Sequence, residues 1–164
     1  MNPITKNILA AGAALAMVAP LSAGTSAIEW EKPDSYTDIG SDYGATDQFD
    51  LFKKEIESYV ERVAETELPD GAILEMKVSN VDLAGQIEPW GLNQDVRIVR
   101  DIYPPKMRFT YTLRKDGKVV SEGKENLSDL DFTYNIGRRF FDQDQFFYEK
   151  EMIGEWIRSE FKNS

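Results

Sequence analysis

The stretch Lys106-Met107-Arg108-Phe109-Thr110-Tyr111-Thr112-Leu113-Arg114, with Lys115-Asp116-Gly117 and Lys118–Glu125 behind it, decides the fold. Strict alternation puts Met107, Phe109, Tyr111 and Leu113 on one face and Arg108, Thr110, Thr112 and Arg114 on the other. That is the pattern of a strand with one side in a core and one in water. Lys115-Asp116-Gly117 turns the chain, and the segment after it returns as the second strand of a hairpin. Packing selects the register. A two-residue Asp-Gly turn sets Glu122 opposite Tyr111 and Lys124 opposite Phe109, which places charges beneath rings. A three-residue loop with Gly117 as a bulge sets Val119 by Leu113, Ser121 by Tyr111 and Gly123 under Phe109, and this second register is favoured.

Upstream of the hairpin, Ala72–Leu83 reads as a long strand. Leu74, Met76 and Val78 share one face, but Val81 and Leu83 fall in the other phase, which predicts a bulge near Ser79-Asn80. Before it, Phe49, Phe52, Ile56, Tyr59, Val60 and Val63 recur at helical spacing through Gln48–Glu67, with Asp47 as N-cap and Leu68-Pro69-Asp70-Gly71 as the stop. Ile28–Glu31 is a short strand halted by Lys32-Pro33. Ala84–Asn93 is a loop, and Gln94–Val99 is a short strand that the Tyr103-Pro104-Pro105 corner interrupts. Leu127–Arg139 is irregular. A last helix, Gln145–Phe161, is capped by Asp142 or Asp144 and buries Phe146, Ile153, Trp156, Ile157 and Phe161. The order predicts an α+β domain: an antiparallel sheet of about four to five strands with two helices on one face.

Residues 1–27 have the parts of an export signal. Lys6 gives a positive start, and Ile8–Leu21 is an uncharged, alanine-rich core of about 14 residues, the usual length for a cleaved leader. Spanning a bilayer takes roughly 20. Thr25-Ser26-Ala27 places small side chains where a signal peptidase reads, so the expected cut follows Ala27 and the expected domain is 28–164. Ala23 is the weaker alternative, because Leu21 occupies its outer position. With no cysteine after the core, attachment of lipid to an N-terminal cysteine is excluded, and no later stretch is apolar enough to span a membrane. The expected location is periplasmic or secreted.

The chain carries 19 Lys+Arg against 29 Asp+Glu, net −10, and loss of the leader's single Lys6 leaves −11. Such a surface repels phosphate backbones, which argues against nucleic acid as a partner. All 9 Phe, 7 Tyr and 3 Trp lie beyond residue 27, far more aromatic content than a disordered acidic chain holds. There is no Cys and no His. Thiol nucleophiles, Ser-His-Asp triads and the usual zinc, copper and haem ligands are thereby removed. No cofactor and no metal site is expected.

The acids do not organise into a metal loop. Asp34, Asp38, Asp42, Asp47 and Asp50 lack calcium-loop spacing, and Asp142-Gln143-Asp144 has Phe147 and Ile153 where that loop needs Gly and Glu. No two of the 29 acids are singled out for acid–base work. Asp95-Val-Arg97-Ile-Val-Arg100-Asp101-Ile-Tyr103-Pro-Pro105 is more informative. Arg97 and Arg100 beside Asp101 and an aromatic–proline corner suit an anion clamp. The plainer reading is an Arg–Asp pair that fixes the strand end. Trp90, in a loop, either folds onto the sheet edge or presents itself to a partner.

Trp30-x-x-Pro33-x-x-Tyr36-x-Asp38, Asp82-Leu83-Ala84-Gly85, Asp95–Pro105 and Glu149-Lys150-x-Met152-x-x-x-Trp156 together resemble a bacterial exported family catalogued as domain of unknown function 3016, over Trp30 to Phe161. The resemblance implies a Gram-negative envelope setting and an export signal. It brings no activity and no functional residues. The expected function is therefore a non-catalytic binding or interaction domain of the envelope, with Arg97, Arg100, Asp101, Tyr103 and Trp90 as the surface and an envelope protein or small anionic ligand as the partner. A small carboxylate-based hydrolase acting on envelope material and an oligomeric assembly subunit are the alternatives.

Overall fold

The computed structural model describes residues 23–39, 46–87, 97–134 and 144–162. Their elements, in chain order, are β1 (Thr25–Trp30), α1 (Thr46–Glu67), β2 (Ala72–Asp82), β3 (Gln86–Ile87), β4 (Arg97–Ile98), β5 (Lys106–Lys115), β6 (Lys118–Ser128) and α2 (Phe147–Glu160). A single 3-10 turn, Pro33–Ser35, follows β1 and is entered through Lys32 at φ 50°. The leader core, Trp90 and Asp142 lie outside the described residues.

The main sheet has the order β1-β2-β5-β6. The pairs β2–β5 and β5–β6 are antiparallel, whereas β1 runs parallel to β2. The reason is connectivity: α1 carries the chain back along one face of the sheet, so the strands on either side of it point the same way. β1 also starts earlier than the sequence pattern suggests, at Thr25 rather than Ile28. The α1 helix already includes Thr46 and Asp47, so Asp47 lies inside it and not at its cap. Gln86–Ile87, read as loop, pairs with Arg97–Ile98 in a separate two-stranded ribbon.

One face of the sheet is covered by both helices. Leu74, Met76 and Val78 of β2 and Met107, Phe109, Tyr111 and Leu113 of β5 meet Phe52, Ile56, Val60 and Val63 of α1 and Met152, Ile153, Trp156 and Ile157 of α2. Burying each of the larger side chains stabilises the fold by about 1.5–3 kcal/mol. Trp156 sits edge-on to Phe109 (4.8 Å between centroids) and Tyr111 (5.1 Å), and Phe52 is edge-on to Phe146 (5.1 Å), which locks the two helices to the sheet and to each other. The opposite face is solvated. Lys77–Glu29, Arg114–Glu75 and Lys106–Asp82 pair across neighbouring strands there, at roughly 0–1 kcal/mol each for such exposed pairs.

The bulge in β2 falls between Val78 and Asn80. It lets Val81 rejoin the buried face after the phase change. The hairpin differs from both sequence registers. Its turn is the two-residue one, Asp116 and Gly117 both at positive φ (51° and 74°), with Lys115 opposite Lys118. A bulge just beyond it then shifts the pairing, so that Ser121 faces Leu113 and Gly123 faces Tyr111. A Cβ at Gly123 would stand 2.8 Å from the Tyr111 ring. The small residue lies beneath an aromatic as packing demands, but the ring is Tyr111 and not Phe109.

Candidate functional site

At the carboxyl-terminal end of β2 the chain leaves the sheet through Leu83, Ala84 and Gly85. Gly85 has φ +78°, and a Cβ on it would lie 2.5 Å from the Ile98 carbonyl oxygen, so only glycine lets the β3–β4 ribbon close on this bend. The Gly85 N–H donates to the Tyr103 carbonyl (2.9 Å), and Tyr103 N–H donates to that of Arg100 (3.0 Å). The ribbon, the Tyr103-Pro104 corner and the start of α2 thus meet at one end of the molecule. Among the described residues the exit of β2, β4 and the start of α2 border a hollow of about 740 Å³, whose walls include Leu83, Ala84, Arg97, Val99, Asp101, Phe146 and Glu149. That is the size of an ordinary small-molecule site.

Arg97, on β4, projects toward Asp38. Its two terminal nitrogens donate to the two Asp38 carboxylate oxygens (2.5 and 3.0 Å), and one of them also donates to the Gly85 carbonyl (3.0 Å). Both side chains are mostly buried, at 19% and 11% exposure. This is a bidentate fork rather than a surface pair, and it fills the acceptor-seeking edge of the guanidinium. An external anion has to displace Asp38 to use it. Asp38 also borders a smaller hollow of about 190 Å³ beneath Tyr103 and Pro104, so the ion pair stands between the two.

Glu149 enters the sequence pattern only within the family resemblance, with no site role assigned to it. It is 2% exposed, in the first turn of α2. Its Oε1 accepts from the Ala84 N–H at 2.7 Å, which ties α2 to the exit of β2. Burial pushes the Glu149 carboxyl above its ordinary 4.5, and the Asp38 charge adds to this. The Ala84 N–H, its own N–H and the nearby Arg97 charge oppose the shift without cancelling it. A buried carboxyl with a raised pKa on the wall of a hollow is a feature that functional sites share.

The neighbouring Lys150 has a different task. Its Nζ donates to Asp144 (2.6 Å) and to Glu55 of α1 (2.9 Å), with its side chain 7% exposed. Burial favours its neutral form, yet the hydrogen bonds and charges of Asp144 and Glu55 outweigh that and hold the ammonium above its ordinary value. Asp144 also accepts the Phe146 N–H at 3.0 Å. Phe146 itself is the N-cap of α2 and no side chain caps the helix, so Asp144 stands ahead of the capping position expected of it.

Of the residues read from sequence, Arg97 and Asp101 reach the same hollow, with Asp101 exposed. Tyr103 borders the smaller one, and Arg100 is exposed and lines neither. Trp90 lies outside the described residues. Asp38 and Glu149 are the additions. The signal for Glu149 was present: it stands three residues after Phe146 and four before Ile153, on the stripe that α2 buries. The Asp38–Arg97 pair spans 59 residues and left no local trace.

Among the described residues no helix is long and apolar enough to cross a membrane, and no three acids group to hold a metal ion. No curated protein matches the chain. A family model described as "Protein of unknown function (DUF3016)" matches residues 24–159, from the residue before β1 into the last turn of α2, and the chain belongs to that family.

Proposed function

We propose that this is an exported envelope domain that binds a small molecule in the hollow between the β3–β4 ribbon and the start of α2. The observation that carries the reading is Glu149: a buried carboxyl, held by the Ala84 N–H, on the wall of a cavity of ligand size. A neutral carboxyl both donates and accepts a hydrogen bond. The wall around it combines Leu83, Ala84 and Phe146 with Asp101. These groups suit a ligand with an apolar face and a hydroxyl or amine head. They do not favour an anion, since Arg97 is engaged by Asp38. Export to the periplasm or medium rests on the leader's charge and length.

Ligand-observed NMR with a panel of aryl alcohols, amino sugars and matched carboxylates tests this. The expected result is binding by the hydroxyl or amine members and loss of that binding in Val99→Trp, which fills the hollow from its half-exposed rim. Equal binding to both proteins, or a preference for the carboxylates, contradicts it.

A second reading is favoured by the same carboxyl. Burial shifts Glu149 toward the protonated form that a general acid uses, and hydrolysis of a glycosidic bond needs a second carboxylate about 5–10 Å away. Asp101 is the free candidate, because Asp144 is taken by Lys150. Turnover of envelope glycans that Glu149→Gln abolishes, with ligand binding retained, selects this reading over simple binding.

A further inference from the structure

We infer that the export leader is removed between Ala23 and Gly24, four residues before the position its small side chains alone favour. The inference rests on the export reading above and fixes the bond. Hydrolysis there consumes one water and leaves a carboxylate on Ala23 and an amine on Gly24.

The fold uses the four residues at issue. Ala23 is exposed and Gly24 is buried, so the chain enters the folded body at this bond. A Cβ on Gly24 would lie 2.6 Å from the Ala64 carbonyl oxygen and 2.6 Å from the Leu68 Cβ, so the backbone of Gly24 is pressed against the last turn of α1 where no other residue fits. Thr25, Ser26 and Ala27 then pair with Ile73, Leu74 and Glu75, which is half of the β1–β2 ladder. Ser26 is fastened twice, its N–H (2.7 Å) and its hydroxyl (2.6 Å) both donating to Glu61 of α1. One helical turn earlier on the same face, Glu57 accepts the Trp30 indole N–H (2.9 Å). The two acids of α1 therefore clamp the two ends of one strand.

Cutting after Ala27 removes one clamp, leaves Glu61 without its partner and shortens β1 to Ile28-Glu29-Trp30. Cutting after Ala23 keeps the whole strand. It also sets a new ammonium against the end of α1, whose last turn carries no basic side chain, and a cation is favourable at that pole of a helix. The family match begins at the same residue, 24. Leu21 stands at the outer reading position of this cut.

The test uses the full chain expressed in a Gram-negative host. Intact mass and N-terminal sequencing of the periplasmic product give Gly24 as its first residue. Ala23→Leu, which blocks the inner reading position, causes the precursor to accumulate, while Ala27→Leu, at an exposed strand position, leaves processing unchanged. A product beginning at Thr25 or Ile28, or processing that Ala27→Leu blocks and Ala23→Leu does not, overturns the assignment while export stands. A precursor that stays uncleaved in the cytoplasm overturns export as well.

Discussion

Glu149 and Lys150 are neighbours on α2, both buried, and they sit in opposite surroundings. Lys150 is closed: two carboxylates reach it, Glu55 from α1 and Asp144 from just ahead of α2, and Lys150 itself does not line the hollow. Glu149 is held from one side by Ala84 and borders the hollow on the other. Burial acts on both in the direction of the neutral form. The surroundings reverse it for Lys150 and fail to reverse it for Glu149. One charge staples the fold, and the other carboxyl is left shifted toward its neutral form beside open space. Burial alone does not mark a candidate site; incomplete compensation of a buried group beside open space is the sharper criterion.

The largest effect comes from breaking the closed centre. Lys150→Met leaves Glu55 and Asp144 facing each other without their cation. Loss of one partner of a buried pair costs about 3–5 kcal/mol, and the partial exposure of the two acids reduces this to about 2–4 kcal/mol, read from urea unfolding. The variant also loses the alkaline limb of the stability curve. Lys150 has a raised folded pKa, so its contribution is full below its ordinary 10.5 and disappears as pH climbs through the raised value.

A smaller effect is expected at the partition. Asp38→Asn keeps the shape but takes the charge from the Arg97 fork, for a loss of about 1–3 kcal/mol as a charge-assisted bond weakens. It also frees the guanidinium, so that the variant gains affinity for small carboxylates that the wild type lacks. Isothermal titration with acetate or benzoate measures the gain. No gain means that the guanidinium stays closed to external anions even without the Asp38 charge, and contradicts the displacement reading.

Glu149→Gln is the mildest in stability and the most informative in pH dependence. Gln keeps the acceptor for Ala84 and stays neutral. The folded carboxyl has a raised pKa, so its stabilisation is present below about 4.5 and fades as pH rises through the folded value. The variant therefore matches the wild type within about 1 kcal/mol in acid and overtakes it above that window. Parallel stability curves for the two proteins contradict a raised Glu149.

How much of this was legible varies with the range of the cause. Alternation in Lys106–Arg114 gave β5 its buried face, and the phase change at Ser79-Asn80 gave the β2 bulge, because both arise from side-chain order along one strand. The hairpin shows a mixed case. The rule that a small residue belongs beneath a ring was right, and Gly123 obeys it under Tyr111. The register missed because the chain combines a tight turn with a later bulge, two features that the same residues permit singly or together. The parallel β1 was implicit in a strand–helix–strand order. The site was least legible. Arg97 drew attention for its charge, yet its partner is Asp38 from the far side of α1. Glu149 lay unread on an apolar stripe, where a charged residue among Phe146, Ile153 and Ile157 was itself the sign.

The most direct test of the contrast is a carbon-13 titration of the side-chain carboxyls, with Glu149 assigned by its absence in Glu149→Gln. The expected midpoint for Glu149 lies above the ordinary 4.5 and above those of the exposed glutamates, and moves further when the hollow is occupied. A midpoint at or below 4.5 contradicts it, and leaves Glu149 as a second structural anchor like Lys150.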